Sequence, residues 1–259
     1  LPGAEAGRAG PHCWALLACA GRGVRAASAQ TSAPARPKQY QSLAGTPLVL
    51  HTLAAFAAVA RVRHTLVVLA PHDGFWQAAS RSVPCPERTR HSAVACGGAT
   101  RAQSVHNGLQ ALRKLGAAAQ DWVLVHDAAR CLITPALINT LIDACENDPV
   151  GGLLALPVSD TLSAATQDPQ ARPRATATVA RSDKWLAQTP QMFRLGALSN
   201  ALHHAGADAT DEASAMQALG QHPLLVRGSA HNVKVTWPED FALAAALLAL
   251  RGQPGVPAA

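Results

Sequence analysis

The stretch Trp14-Ala15-Leu16-Leu17-Ala18-Cys19-Ala20-Gly21-Arg22-Gly23-Val24-Arg25, followed beyond a polar loop by Pro37-Lys38-Gln39-Tyr40, decides how the chain is read. It opens with a short apolar run, as expected of a buried strand, and that run leads straight into a Gly-rich turn. Small residues let backbone N–H groups approach phosphate oxygens, and Arg25 and Lys38 would offset the charge. The stretch is therefore a candidate nucleotide site, and the rest of the chain has to support it.

Working outward, residues 47–60 carry apolar positions at helical spacing, with Pro47 where its missing N–H costs nothing. Residues 65–70 form a continuous β-branched and apolar run closed by Pro71, which predicts a strand buried on both faces. Residues 74–90 are mixed and yield no assignment. A strand over 93–96 ends in Gly97-Gly98, a helix follows over 100–115, a strand over 122–125, a helix over 135–145 and a strand over 152–157. Strands alternating with helices predict a mostly parallel open sheet with helices on both faces.

The alternation stops over 158–185, where turn residues and an alternating polar segment at 174–181 predict a protruding antiparallel arm. Such an arm exposes an edge that calls for a partner, so a dimer is expected. Helices are expected over 195–204 and 212–219, and short strands over 224–226 and 233–235, the latter placing Lys234 opposite its valine neighbours. Thr236-Trp237-Pro238-Glu239 has capping-box spacing before an apolar helix over 241–250. One domain over 12–251 is expected, between tails at 1–11 and 252–259.

The 259 residues carry a net charge of +6, which favours anionic partners. Arg and Lys are scattered without interleaved aromatic residues, so a small phosphorylated substrate fits better than nucleic acid. The six cysteines form no C-x-x-C pair, as expected of reduced thiols in the cytoplasm, and no apolar stretch is long enough to span a membrane.

Ligands of open parallel sheets sit beyond the carboxyl ends of the strands. Four groups fall there: residues 21–25, Gly97-Gly98, residues 127–130 and Asp160-Thr161. The chain has neither a Walker sequence nor a G-x-G-x-x-G after Gly21, which argues against a P-loop kinase and against dinucleotide binding. Nucleotidyl transfer fits instead. A phosphate monoester is largely dianionic at neutral pH and attacks without a general base, whereas the α-phosphate and leaving pyrophosphate need cations. Arg25, Lys38 and Lys234 would supply them.

At these residues the chain resembles the 2-C-methyl-D-erythritol 4-phosphate cytidylyltransferase family of the non-mevalonate isoprenoid pathway. The resemblance rests on Ala20-Gly21-x-Gly23-x-Arg25, Pro37-Lys38-Gln39-Tyr40, Gly97-Gly98-x-x-Arg101-x-x-Ser104-Val105, Val125-His126-Asp127-Ala128-Ala129-Arg130 and Pro157-Val158-x-Asp160-Thr161. Gln188-Thr189-Pro190-Gln191, Thr210-Asp211-Glu212-Ala213 and Asn232-Val233-Lys234-Val235-Thr236 complete it. The chain departs from the family pattern at Ala18 and Cys131, where Pro is usual, at Arg22 and Val24, and in a longer loop between Arg25 and Lys38.

The resemblance implies a Rossmann-like, three-layer α/β nucleotidyltransferase fold in a homodimer with arm exchange. It implies a cytoplasmic enzyme that joins CTP and methylerythritol phosphate, giving the CDP-alcohol and pyrophosphate. By position it makes Arg25 and Lys38 stabilise the transition state. Lys234, and Arg181 from the partner's arm, would hold the substrate phosphate. Asp127, Arg130, Thr161 and Thr189 would line the sugar-alcohol side. Cys19, Ala20, Gly21, Gly23, Gly98, Ser104 and Asp127 would bind CTP. Mg²⁺ would be held mainly by phosphates, with no direct protein ligand. A cytidylyltransferase for another polyol phosphate, such as ribitol 5-phosphate, and an inactive nucleotide-binding regulator are the alternative readings.

Overall fold

The computed structural model describes residues 10–21, 36–81, 90–206 and 209–251. The tails expected at 1–11 and 252–259 lie outside these residues, apart from positions 10 and 11.

β1 (Cys13–Ala18) lies beside the central strand of a seven-stranded sheet, and its four middle residues are buried. It pairs in parallel with β4 (Val62–Val68) on one side and with β6 (Trp122–Asp127) on the other. β5 (His91–Val94) extends the sheet beyond β4. Beyond β6 lie β10 (Trp185–Arg194), β7 (Gly151–Pro157) and β11 (Leu224–Arg227), with β10 antiparallel to both neighbours. β2 (Ser42–Leu43) and β3 (Thr46–Pro47) pair with each other apart from this sheet, whose strands run outward from β1 through β4 to β5 and then resume at β6 on the other side of β1. That reversal opens a crevice at the carboxyl ends of β1 and β6.

Alternation along β1 divides the core between two faces. Ala15 and Leu17 meet α1 (Leu48–Ala57) and α4 (Pro135–Cys145) through Phe56, Ile138 and Leu141. Trp14 and Leu16 meet α3 (Arg101–Lys114) and α5 (Leu195–Ala205) through Leu109, Leu112 and Leu198. α6 (Glu212–Ala218) joins the second layer, so that helices cover both faces of the sheet in three layers. Each fully buried leucine here contributes about 1.5–3 kcal/mol. Gly108 lets α3 press on the sheet, since a Cβ there would lie 2.7 Å from both Leu16 and Val68. Thr100 and Thr134 cap α3 and α4 by accepting from the amides of Gln103 and Leu137.

Several expectations are corrected. The unassigned 74–90 stretch contains α2 (Trp76–Arg81), started by Asp73, whose carboxylate accepts from the Phe75 and Trp76 amides. β5 ends at Val94, ahead of the expected 93–96. β10 was not expected at all: Pro190 and the polar residues around it hide it. The 233–235 segment joins no sheet, although Val235 donates its amide to the Ala129 carbonyl at 2.9 Å. The final helix, α7 (Asp240–Arg251), begins without the expected capping box. Asp240 folds back instead, accepting from the amides of Thr236 and Trp237.

Between β7 and β10 the chain makes an antiparallel hairpin of β8 (Leu162–Gln167) and β9 (Pro173–Val179), the arm expected over 158–185. Every residue of β9 is exposed. Trp185, Leu186 and Val179 at its base are exposed apolar side chains.

Candidate active site

A cleft of about 680 Å³ opens at the crevice beside β1 and β6. Its floor is the end of β1, where Cys19, Ala20 and Gly21 continue the strand. Gly97 lies against that turn: a Cβ on it would come within 2.4 Å of the Ala20 Cβ and 2.8 Å of the Leu69 carbonyl. Next to it, the Gly98 amide donates to Ser104 Oγ at 3.0 Å, while that hydroxyl donates to the Thr100 carbonyl at 2.8 Å. The loop before α3 is thereby fixed, and Ser104 faces the cleft with its proton already committed.

Gln39 ties the Lys38 segment to the same floor, donating from Nε2 to the carbonyls of Cys19 and Gly21, each at 2.9 Å. Lys38 then reaches across the cleft and donates to the Val235 carbonyl at 2.8 Å. Lys234, one residue earlier, meets Asp127 Oδ2 at 2.6 Å. Alternation about Lys234 holds as expected, with Val235 buried and Lys234 turned into the charged cleft.

Asp127 closes β6 and is almost fully buried. Burial pushes its carboxyl up, but Arg101 and then Lys234 outweigh that and hold it well below the usual carboxylate range. Arg101 Nε donates to Asp127 Oδ1 at 2.9 Å, and its two terminal nitrogens clasp Glu212 at 2.6 and 3.0 Å.

Behind Asp127 the polar groups are matched in turn. His126 Nε2 lies 3.1 Å from the Arg130 carbonyl, which can only accept, so Nε2 carries the proton and Nδ1 accepts. Thr189 therefore donates to Nδ1 at 3.0 Å and accepts from the Asp127 amide at 3.1 Å. Burial lowers the pKa of His126 to about 4, so the ring is neutral at physiological pH. Arg130 donates to the carbonyls of Asn232 at 2.7 Å and Ala187 at 3.3 Å.

The fold thus brings Cys19, Ala20, Gly21, Lys38, Gly98, Ser104, Asp127 and Lys234 to one cleft. Thr189 and Arg130 sit behind its wall, the threonine buried with its hydroxyl turned to His126 and Asp127. Thr161 and Arg181 lie away from the cleft on the arm side of β7, both exposed, with Arg181 donating to the Ser159 carbonyl. Gly23 and Arg25 lie outside the described residues. Sequence reasoning gave no site role to Arg101, Glu212 or Gln39. The signal was present in the quoted motifs, where an Arg and a Glu recur beside glycine and Asp, but their pairing joins two distant helices.

The family model described as 2-C-methyl-D-erythritol 4-phosphate cytidylyltransferase matches residues 13–250, which takes in every element of this cleft. The chain belongs to that family. A cytidylyltransferase of Burkholderia vietnamiensis bearing the family name is 50% identical over 242 residues, covering 92% of this chain and 97% of its own. A bifunctional IspD/IspF enzyme of Albidiferax ferrireducens is 58% identical over 93% of this chain. The chain spans about half of that bifunctional relative, 54% of its length. A crystal structure of 4-diphosphocytidyl-2C-methyl-D-erythritol synthase superposes with a TM-score of 0.77 at 37% identity, covering 93% of this chain and all of the other. As a cytidylyltransferase of this family, the chain is a nucleotidyltransferase of isoprenoid biosynthesis that uses CTP and 2-C-methyl-D-erythritol 4-phosphate. The ribitol phosphate and inactive-regulator readings are not favoured.

Proposed function

We propose that residues 12–251 act as one unit in which Lys38 and Arg25 stabilise the triphosphate in the transition state, while Lys234 holds the phosphate of methylerythritol phosphate. One observation carries this reading. Lys38 and Lys234 arrive from opposite ends of the chain at one cleft, Lys38 bonding the carbonyl of the residue after Lys234. An oxygen of the substrate phosphate attacks the CTP α-phosphorus, the bond from that phosphorus to the bridging oxygen breaks, and pyrophosphate leaves. The nucleophile is already anionic, so the protein supplies charge and alignment rather than a base.

Cys19, Ala20, Gly21, Gly98 and Ser104 read the cytosine, and Gly23 also serves CTP binding. Asp127 contacts CTP and, with Arg130, Thr161 and Thr189, serves the polyol side. Among the described residues Asp127 is the one carboxylate on the cleft wall, and its two oxygens already take Arg101 and Lys234. A magnesium ion would therefore be held mainly by phosphate oxygens, and when bound it neutralises their charge.

The enzyme works as a homodimer in which the arm of each subunit delivers Arg181 to the other's cleft. The exposed arm and the apolar Val179, Trp185 and Leu186 at its base support this. It works in the cytoplasm. The free thiols of Cys13, Cys19, Cys96, Cys131 and Cys145 support that compartment, and no helix among the described residues is long and apolar enough to cross a membrane.

The test is pyrophosphate release from CTP, Mg²⁺ and methylerythritol phosphate. Lys234→Ala is expected to lower kcat/KM by about 10²- to 10³-fold. A variant with wild-type kcat/KM would remove Lys234 from the mechanism.

A further inference from the structure

Arg101 and Glu212 are the first residues of α3 and α6, and they meet at the back of the cleft. Glu212 is fully buried, and each of its oxygens accepts from a terminal nitrogen of Arg101. The remaining nitrogen, Nε, points the other way, to Asp127 Oδ1. All three guanidinium nitrogens are thus engaged, which leaves the side chain a single orientation. Asp127 in turn offers only Oδ2 to the cleft, and that oxygen takes Lys234. The Lys234 side chain is 40% exposed, so its ammonium depends on the ion pair with Asp127 for its place.

Burying an ion pair gains little stability over an apolar pair of the same volume, because desolvation offsets the attraction. What the pair does supply is direction. The chain Glu212–Arg101–Asp127–Lys234 alternates in charge and runs from the buried end of α6 to the open cleft. Without the guanidinium, Oδ1 would be released and Asp127 could turn both oxygens toward the lysine.

We propose that Arg101, held end-on by Glu212, is a positioning residue that orients Asp127 and, through it, Lys234 for nucleotidyl transfer. The proposal rests on the reading that Asp127 and Lys234 serve the reaction.

The experiment is a double-mutant cycle in the full chain, with kcat and KM for CTP measured below the melting temperature of every variant. Glu212→Gln is expected to lower kcat about 10- to 100-fold while KM for CTP moves less than about threefold, and in an Asp127→Asn background the same change should alter kcat by less than about twofold. Equal losses in both backgrounds would overturn the proposal, because Glu212 would then act independently of Asp127. Arg101→Leu with Glu212→Leu tests for a merely structural role. This double variant is expected to melt near the wild type yet keep the low kcat, and recovery of wild-type kcat would overturn the proposal. Wild-type activity in both Asp127→Asn and Lys234→Ala would instead overturn the reading of the site itself.

Discussion

The ammonium of Lys38 and the carbonyl of Val235 meet at 2.8 Å across 197 residues of sequence. The bond ties the Lys38 segment, which Gln39 fastens to the end of β1, to the segment that carries Lys234. Val235 is held independently, since its amide donates to Ala129 and its side chain is fully buried. Lys38→Ala should therefore leave the segment in place and the melting temperature within about 2 °C of the wild type. Turnover should fall by about 10²- to 10³-fold, as for loss of one group that stabilises developing charge. Steady-state kinetics and a thermal melt on the same preparation check both halves.

A second prediction concerns acid. His126 has a folded pKa of about 4 against 6.5 when unfolded. Between those values the unfolded chain binds more protons than the folded one, so stability rises with pH across that window and levels off above it. Taking the protein from pH 7 to pH 4 should remove on the order of 3 kcal/mol through this residue alone. Denaturant titrations at pH 7, 5.5 and 4.5 should show the loss, and His126→Gln should flatten the pH dependence. An unchanged slope in that variant would mean that another group titrates.

Gly97 offers a purely steric test. A methyl group there meets the Ala20 Cβ and the Leu69 carbonyl, and neither is the end of a flexible side chain. Gly97→Ala should cost about 1–3 kcal/mol of stability by forcing the two strand ends apart. The displaced turn holds Ala20 and Gly21, so KM for CTP should rise more than KM for the second substrate.

The proposed shared site makes a prediction that no single chain can satisfy. Arg181→Ala and Lys234→Ala homodimers should each be inactive, whereas subunits mixed in equal amounts and allowed to exchange should regain about a quarter of the wild-type sites. Mixtures that stay as inactive as their parents would place both residues in one subunit's site.

The parallel half of the fold was legible because burial on both faces leaves continuous apolar runs, as at β1, β4 and β6. The Gly turn and the Asp127 segment could be placed at the cleft for the same reason: each follows such a strand. β10 was hidden because its middle is polar. Gln188, Thr189 and Gln191 are buried, each satisfied by a partner remote in sequence: Ser229 for Gln188, His126 for Thr189, and Asp211 and Ala213 for Gln191. Hydrophobic patterning carries no trace of bonds like these. The Arg101–Glu212 clasp was missed on the same grounds, since each residue alone resembles a solvated charge at the start of a helix.

β10 has one further consequence. Its outer end, at Trp185 and Leu186, lies in solvent at the root of the hairpin, and its inner end, at Met192 and Phe193, is sealed in the core. Thr189 lies between them, joined to His126 and through it to the wall of the cleft. A pull on the arm therefore travels along one continuous backbone to that wall, like tension along a tendon, and whatever grips the arm has a mechanical line to the reacting groups.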